Sequence, residues 1–317
     1  MTFLIQTTLV YVIPLLLVAL AGMFAERSGI INIALDGMMI FGGFVGAVFA
    51  YLCQKLGWFG GQGQWLFLMT MLVAAAAGAV YSLLLSYSAI NLQADQTIGG
   101  TALNMLAPAL VNTFGLAFFS SEKINMPGSL NYALINDGAT GILAILTDKA
   151  YLSTYLAIVV FVVLSVWVYK TKTGMRLRAC GEHPQAADSV GINVYKMRYL
   201  GTTISGALAG LGGYIYIATI CGGTAEGTVG GSGFLALAIM IFGNWKPVGI
   251  ALGALMFGIL RCLGVLAPQI PFLAQLDLPM YFYNIIPFVT VLVVLALTSK
   301  KSGCPKAEGI PYDKGQR

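Results

Sequence analysis

The sequence predicts an all-α fold, a polytopic helical membrane protein with eight or nine transmembrane helices. Hydrophobic residues make up 58% of the 317 residues and charged residues only 9%, whereas soluble domains carry about 25% charged residues. Apolar runs of about 20 residues recur along the chain, and each is long enough to cross a hydrocarbon core of about 30 Å. Water is therefore not the solvent for most of this surface.

The apolar runs place candidate spans, in chain order, at 4–24, 30–52, 66–88, 97–119, 152–169, 197–219, 232–243, 248–266 and 281–298. The run at 232–243 is short and follows glycines, so a half-helix or re-entrant piece is an alternative to a full crossing. The first run has no basic residue before it and no cleavage site after it, which predicts a retained helix. Residues 1–299 are predicted to form one transmembrane domain and residues 300–317 a polar, disordered tail.

Lys and Arg are distributed unevenly between the loops, which predicts the orientation of the chain. Thirteen of them lie in one set of alternate loops and in the tail, against three in the opposite loops. The loop 170–198, with six of the thirteen, and the C-terminus are therefore predicted to be cytoplasmic. Because these charges lie beside spans, the net charge of +5 indicates membrane topology and not nucleic-acid binding.

Polar residues inside predicted spans are the candidates for a substrate path, because burying Asp at mid-helix costs about 2.5–3.5 kcal/mol. Asn32 and Asp36 are predicted one turn apart on one face of the second span, near its start. Thr97, Thr101 and Asn104 share one face of the fourth span. Hydrogen bonds between helices are the alternative explanation. The candidate path residues are Asn32, Asp36, Thr101 and Asn104.

Glycines at four-residue spacing recur within the spans, and they let helix backbones approach each other closely in lipid. This pattern predicts tight helix packing, with sliding surfaces for a gating motion as a further possibility. The pairs are Gly42 with Gly46, Gly206 with Gly210, and Gly249 with Gly253.

The sequence contains no recognisable catalytic or metal-binding motif. It has no HExxH, no paired histidines and no phosphate-binding GxxxxGK[ST] loop. The five cysteines are scattered, and the single histidine, His183, has no metal-ligand partner nearby in sequence. We therefore predict that the chain is not an enzyme and holds no cofactor or metal. If ATP powers its activity, another polypeptide binds the nucleotide.

Three passages resemble motifs of permease subunits of bacterial ABC importers, in the family that serves ribose and related sugars, branched-chain amino acids and nucleosides. They are residues 25–39, with the form ER.G..NI...GMM, residues 97–104, and the polar block 174–193. The first looks most like the nucleoside and simple-sugar branch. The segment 232–260 fits more loosely, since Gly231-Ser232-Gly233 stands where many members carry an Arg between glycines.

The resemblance implies a permease subunit of an ATP-driven importer of nucleosides in the bacterial cytoplasmic (inner) membrane. A simple sugar such as ribose and branched-chain amino acids are alternative cargoes. A stand-alone secondary carrier is the alternative from another class. The implied partners are an ABC ATPase subunit that binds the ATP, a second permease subunit, either a copy or a relative, and an extracytoplasmic substrate-binding protein.

The resemblance also implies that the polar block forms a short coupling helix that docks on the ATPase. Pro184 suits the first turn of such a helix, and Glu182 would lie near its positive end. Gly191 can end it in a left-handed conformation. A solvated loop whose basic residues only set the topology is the alternative. The candidate coupling residues are Gly181, Glu182, Pro184, Ala186, Ala187 and Gly191.

Overall fold

The computed structural model describes residues 2–58, 63–126, 133–134, 150–267, 279–298 and 303–315. The helices are α1 (Thr2–Arg27), α2 (Leu35–Lys55), α3 (Gly63–Ile90), α4 (Gln96–Phe119), α5 (Leu152–Lys170), α6 (Lys172–Glu182), α7 (Pro184–Ser189), α8 (Val194–Thr219), α9 (Ser232–Phe242), α10 (Pro247–Leu266) and α11 (Met280–Thr298). Four two-residue strands, β1 (Ile124–Asn125), β2 (Ala133–Leu134), β3 (Ala150–Tyr151) and β4 (Thr224–Ala225), form two antiparallel pairs, β1 with β4 and β2 with β3. The predicted all-α class is confirmed.

Among the residues that the structure describes, seven helices are long and apolar enough to cross a membrane, namely α1 to α5, α8 and α10. The short apolar helix α9 has 11 residues, which corresponds to about 16 Å at 1.5 Å per residue. It cannot cross the hydrocarbon core by itself, and this agrees with the half-helix interpretation of residues 232–243. The count of eight or nine spans stays a prediction.

The second span begins later than the sequence suggested, at Leu35 and not at residue 30. After α1, the amides of Ser28, Gly29 and Ile30 donate to carbonyls of its last turn, and Gly29 has a φ of +97°, a conformation that glycine adopts without strain. Asn32 therefore lies in the α1–α2 connection. The expectation that it shares a helix face with Asp36 is wrong.

Helix α8 lies at the centre of the bundle and packs against α1, α2 and α3. Its glycines make this possible, since a methyl group added at Gly78 of α3 would lie only 2.8 Å from the Cα of Gly210. One added at Gly210 would also come within 3.0 Å of the Cα of Gly78. The close packing predicted from the glycine spacing is confirmed for these helices.

Among the seven candidate spans that the structure describes, helices α4 and α5 are the least buried. Only 22% of the apolar window of each is buried, against 78% for α1. Large apolar side chains on these two helices, such as Met105 and Val163, are 74% and 58% exposed. Such faces suit contact with lipid or with another apolar protein surface.

The bundle has two ends. Near one of them, named the α6–α7 end, α1 ends and α2, α4 and α8 begin. At the other, named the far end, α2 and α4 finish and β1 pairs with β4. The far end also carries an ion pair of 2.8 Å between Lys123 and Glu226, which raises the pKa of Lys123.

The polar tail is ordered where the structure describes it, so the expectation of a disordered tail is wrong for residues 303–315. Two of its apolar side chains, Ala307 and Tyr312, are buried, at 6% and 4% exposure. Backbone amides of Ala307 and Gly309 donate to the carbonyls of Gly181 and Gly29. Composition alone missed this because a few well-placed apolar side chains and backbone hydrogen bonds are enough to dock a short segment.

Candidate functional site

The polar block folds into two helices, α6 and α7, joined at His183. The Thr171 hydroxyl accepts a hydrogen bond from the Gly174 amide at 3.2 Å and caps α6. Pro184 occupies the first turn of α7, and Gly191, with a φ of +83°, follows its end. Both local predictions, Pro184 at a helix start and Gly191 in a left-handed turn, are confirmed.

Helix α7 has one face turned into the protein and one turned outward. Pro184 and Ala187 are buried, whereas Ala186 is exposed, so the two adjacent alanines among the candidate coupling residues lie on opposite faces. The outward face, named the α7 face, consists of Gln185, Ala186, Ser189 and Val190. Val190 is an apolar side chain that is 75% exposed. No prediction from the sequence included Val190, although an isolated valine four residues after Ala186 was a usable signal.

Gly181 and Glu182 contact other parts of this chain. Gly181 is buried, and a methyl group added there would lie 2.9 Å from the carbonyl carbon of Arg27. The Glu182 carboxylate lies 3.6 Å from Nη1 of Arg27. Nη2 of the same arginine donates to the Trp245 carbonyl at 3.0 Å. Arg27 thus links α1 to α6 and to the α9–α10 turn.

Three of the four candidate path residues are engaged in hydrogen bonds that join different elements. Asn32 is fully buried and its Nδ2 donates to Ser205 Oγ in α8 at 2.8 Å. Asp36 Oδ1 accepts from the Gly233 amide at 2.8 Å, and so caps the first turn of α9. These bonds favour the interhelical explanation for both side chains.

The Asn104 amide bridges α4 to the start of α2. Its Oδ1 accepts from the Gly37 amide at 2.7 Å, and its Nδ2 donates to the Ile33 carbonyl at 2.8 Å. Thr101 lies one turn earlier, is exposed, and donates only to the Thr97 carbonyl at 2.7 Å. The structure thus separates the two residues, and their assignment to a substrate path stays a prediction.

An aromatic cavity of about 660 Å³ lies at the far end between α2 and α4. The rings of Phe114 and Phe118 are stacked with centroids 6.0 Å apart, and those of Tyr51 and Phe119 meet edge to face at 5.3 Å. The lining residues are Phe44, Val48, Tyr51, Leu52, Lys55, Phe114, Phe118, Phe119 and Ser120. No prediction from the sequence included this cavity, although aromatic residues at four-residue spacing near two span ends were a signal.

The chain shows strong similarity to known membrane transport proteins. The family described as "Branched-chain amino acid transport system / permease component" matches residues 4–295. The nucleoside ABC transporter permease protein NupC of Lactococcus lactis subsp. cremoris is 39% identical over 316 residues, which cover 98% of this chain and 97% of NupC. The guanosine ABC transporter permease protein NupQ of Bacillus subtilis is 39% identical over 323 residues, which cover 100% of this chain and 98% of NupQ.

Among solved structures, a chain of PsaBC from Streptococcus pneumoniae in complex with Fab is similar to this chain. The match covers 92% of this chain and 90% of that chain. The TM-score is 0.43 and the sequence identity is 13%.

Proposed function

This chain belongs to the family of permease components of branched-chain amino acid transport systems, and we propose that it is the membrane-spanning permease subunit of an ATP-driven importer of nucleosides. The observation that carries the proposal is the 39% identity, along essentially the whole length, to a nucleoside permease and to a guanosine permease. The matched stretches include the polar block as well as the spans. Both the transport mechanism and the class of cargo follow from that similarity.

The α7 face is the docking surface for the ATPase in this proposal. It is the exposed side of a short helix whose opposite side, with Pro184 and Ala187, is held by the protein. A partner that pushes on Val190 or Ala186 therefore pushes on an element that is packed against α6 and α8. The α6–α7 end and the C-terminus then face the cytoplasm of a bacterial cell, as the distribution of Lys and Arg predicts.

The aromatic cavity supports a nucleoside as the cargo. Base–aromatic stacking contributes about 1–3 kcal/mol per base, and the Phe114–Phe118 pair presents ring faces at the far end of the bundle. Ser120 and Lys55 line the same cavity and offer hydrogen-bond donors to a base edge or a ribose hydroxyl. An aliphatic amino acid cargo would make little use of stacked rings.

In the assembled transporter a second permease subunit lies beside this one, and the cargo passes between them. The exposed apolar faces of α4 and α5 suit that contact. A substrate-binding protein delivers cargo to the far end. Closure of the ATPases on ATP moves α7, and the bundle alternates between outward-facing and inward-facing states.

The transport test uses the complete transporter in liposomes, with ATP inside and the binding protein outside. We expect guanosine to accumulate only with ATP hydrolysis, and we expect excess ribose or leucine to leave the rate unchanged. Accumulation without hydrolysis would identify a stand-alone carrier. ATP-driven uptake of ribose or leucine in preference to guanosine would overturn the nucleoside assignment.

The docking test substitutes one residue of the α7 face. Val190→Asp places a charge in the contact, and we expect the amount of ATPase that co-purifies with the chain to fall about tenfold, as for a central interface residue. Leu92→Asp is the matched control, since Leu92 is an apolar residue with 63% exposure in the α3–α4 connection, outside the polar block. Equal ATPase recovery with both variants would contradict docking through α7.

A further inference from the structure

Residues 303–315, named the C-terminal strap, lie across the α6–α7 end and contact three separate connections. The Ala307 amide donates to the Gly181 carbonyl at 2.9 Å, at the end of α6. The Gly309 amide donates to the Gly29 carbonyl at 3.2 Å, in the α1–α2 connection. The Gly303 amide donates to Oδ1 of Asn244, in the α9–α10 turn.

The strap also completes a small apolar core that is separate from the main core of the bundle. This second core consists of Cys180 from α6, Ala187 from α7, Val194 from α8 and Tyr312 from the strap. The Tyr312 ring meets the Tyr195 ring of α8 at a centroid distance of 5.3 Å. Burial raises the pKa of the Cys180 thiol to about 11. Tyr312 is thus packed against the buried side of the helices that carry the α7 face.

Side-chain hydrogen bonds fix the middle of the strap. Glu308 forms a side-chain hydrogen bond with Glu26, near the end of α1, and accepts one from the Cys304 thiol at 2.6 Å. Glu26 in turn accepts from Trp245 Nε1 at 2.5 Å. The strap, α1 and the α9–α10 turn therefore share one hydrogen-bonded group.

The strap also covers Arg198, in the first turn of α8, which is 1% exposed. A methyl group placed on Gly29 would lie 3.0 Å from Nη2 of Arg198 and 3.4 Å from the Ala307 carbonyl oxygen. The guanidinium is therefore enclosed between the α1–α2 connection and the strap. Closely packed elements with few voids between them are nearly incompressible, so they transmit a displacement to their neighbours.

We infer that the C-terminal strap is a part of the coupling apparatus that carries the motion of α7 to the α1–α2 connection and to the α9–α10 turn, with Tyr312 as its main positioning residue. This inference rests on the proposed function, because it presupposes an ATPase that moves α7. Successive residues of this one short segment contact the α9–α10 turn, α6, α1 and the α1–α2 connection. When the α7 face is displaced, the strap forces these elements to move together.

The test measures guanosine taken up per ATP hydrolysed by the complete transporter in liposomes. Tyr312→Ala removes the ring contact, and we expect the ratio to fall about threefold to tenfold, the range of coupling changes seen for residues remote from both sites. Tyr312→Phe keeps the ring and is expected to restore the wild-type ratio. Ile310→Ala is the matched control, because the Ile310 side chain is 54% exposed and makes none of these contacts.

Two further measurements separate coupling from folding and docking. The ATPase that co-purifies with Tyr312→Ala is expected to equal the wild-type amount. The Cys180 thiol, buried in the wild type, is expected to react faster with a maleimide in Tyr312→Ala, in a chain whose other cysteines are serine. A wild-type transport ratio in Tyr312→Ala with a reactive Cys180 would overturn the inference, as would loss of the ATPase. Absence of ATP-driven uptake by the wild type would instead defeat the proposed function.

Discussion

The two ends of the bundle differ in the kinds of contacts that their elements make. At the α6–α7 end, side chains and backbone groups from the α1–α2 connection, α6, the α9–α10 turn and the strap bond to one another. At the far end, the space between α2 and α4 is an aromatic cavity lined mainly by ring contacts. The β1–β4 pairing and the Lys123–Glu226 ion pair also join elements at the far end, but none of these residues lines the cavity. The α6–α7 end is named the cross-linked end, and the far end, for its cavity, the open end.

This difference matches the two tasks of a permease under the proposed function. The movement of the ATPase has to be transmitted through a surface that does not deform locally. Buried hydrogen bonds between segments distant in sequence provide that rigidity at the α6–α7 end. Cargo has to enter and leave, which favours ring stacking, because stacking tolerates small shifts of the ligand better than directional hydrogen bonds do. Substitutions at the cross-linked end should therefore change stability or coupling, and those at the open end should change cargo affinity.

The largest effect is expected where α6 meets α1. Gly181→Val places side-chain atoms against the Arg27 backbone, which cannot move aside as a flexible side chain would. We expect a loss of about 3 kcal/mol of stability from overpacking, measured as a lower Tm in detergent together with reduced ATPase recovery.

Gly191→Ala is the matched control for this prediction. Gly191 has open space around it, and only its φ of +83° opposes a side chain, at a cost of about 1–2 kcal/mol. Equal Tm losses for the two variants would show that α6 is not packed against α1 as described.

The next effect is expected at Asn104, where a structural role and a role in the substrate path make different predictions. Asn104→Leu leaves the buried Gly37 amide without its acceptor, and such a loss costs about 1–3 kcal/mol. We expect a lower Tm and a lower maximal uptake rate with an unchanged KM for guanosine. Thr101→Val, one turn away on the exposed side, is the control and should leave the Tm unchanged. A raised KM at constant Tm would place Asn104 in the path.

A smaller effect is expected at the open end. Phe118→Ala removes a ring that is 74% exposed in the cavity, and we expect the KM for guanosine to rise about tenfold from lost stacking. The ATP hydrolysed per guanosine should stay the same. Phe118→Trp should retain the affinity, and Leu116→Ala, an exposed residue of the same helix outside the cavity, should have no effect. An unchanged KM in Phe118→Ala would remove the cavity from the cargo route.

Features of the fold that depend on local sequence could be predicted, and those that depend on distant contacts could not. The spans follow from apolar length, and the positions of Pro184 and Gly191 follow from backbone preferences of the residues themselves. Asn32 was misplaced because the α1–α2 connection extends to Ala34, into residues 30–34 that the apolar pattern assigned to the second span. No local pattern marks the start of the helix at Leu35 strongly.

The site was predicted less completely than the fold. The polar block was recognised from its composition, but which of its residues face outward depends on where α6, α8 and the strap lie. The strap itself was missed because Tyr312 and Ala307 are isolated in a polar tail, and their burial requires the pocket that α6, α7 and α8 form together. Composition does not report such a pocket.

The smallest effect is expected at Glu308, and its sign follows from the surroundings of the carboxyl group. Burial raises the pKa of Glu308, and the hydrogen bonds with Cys304 and Glu26 and the charge of Arg27 each oppose that shift. A raised pKa in the folded state means that the contact is stable below the ordinary carboxyl pKa of about 4.3 and weakens as the pH rises through the folded pKa. Glu308→Gln is neutral at every pH, so it should raise the Tm by about 2 °C at pH 8 and by less at pH 5.

Glu122→Gln, which changes an exposed acid at the far end, is the control for Glu308→Gln and should shift the Tm at neither pH. A Tm gain that is the same at both pH values would show that the charge on Glu308 does not weaken the strap. Protonation of Glu308 would then not contribute to the stability of the cross-linked end.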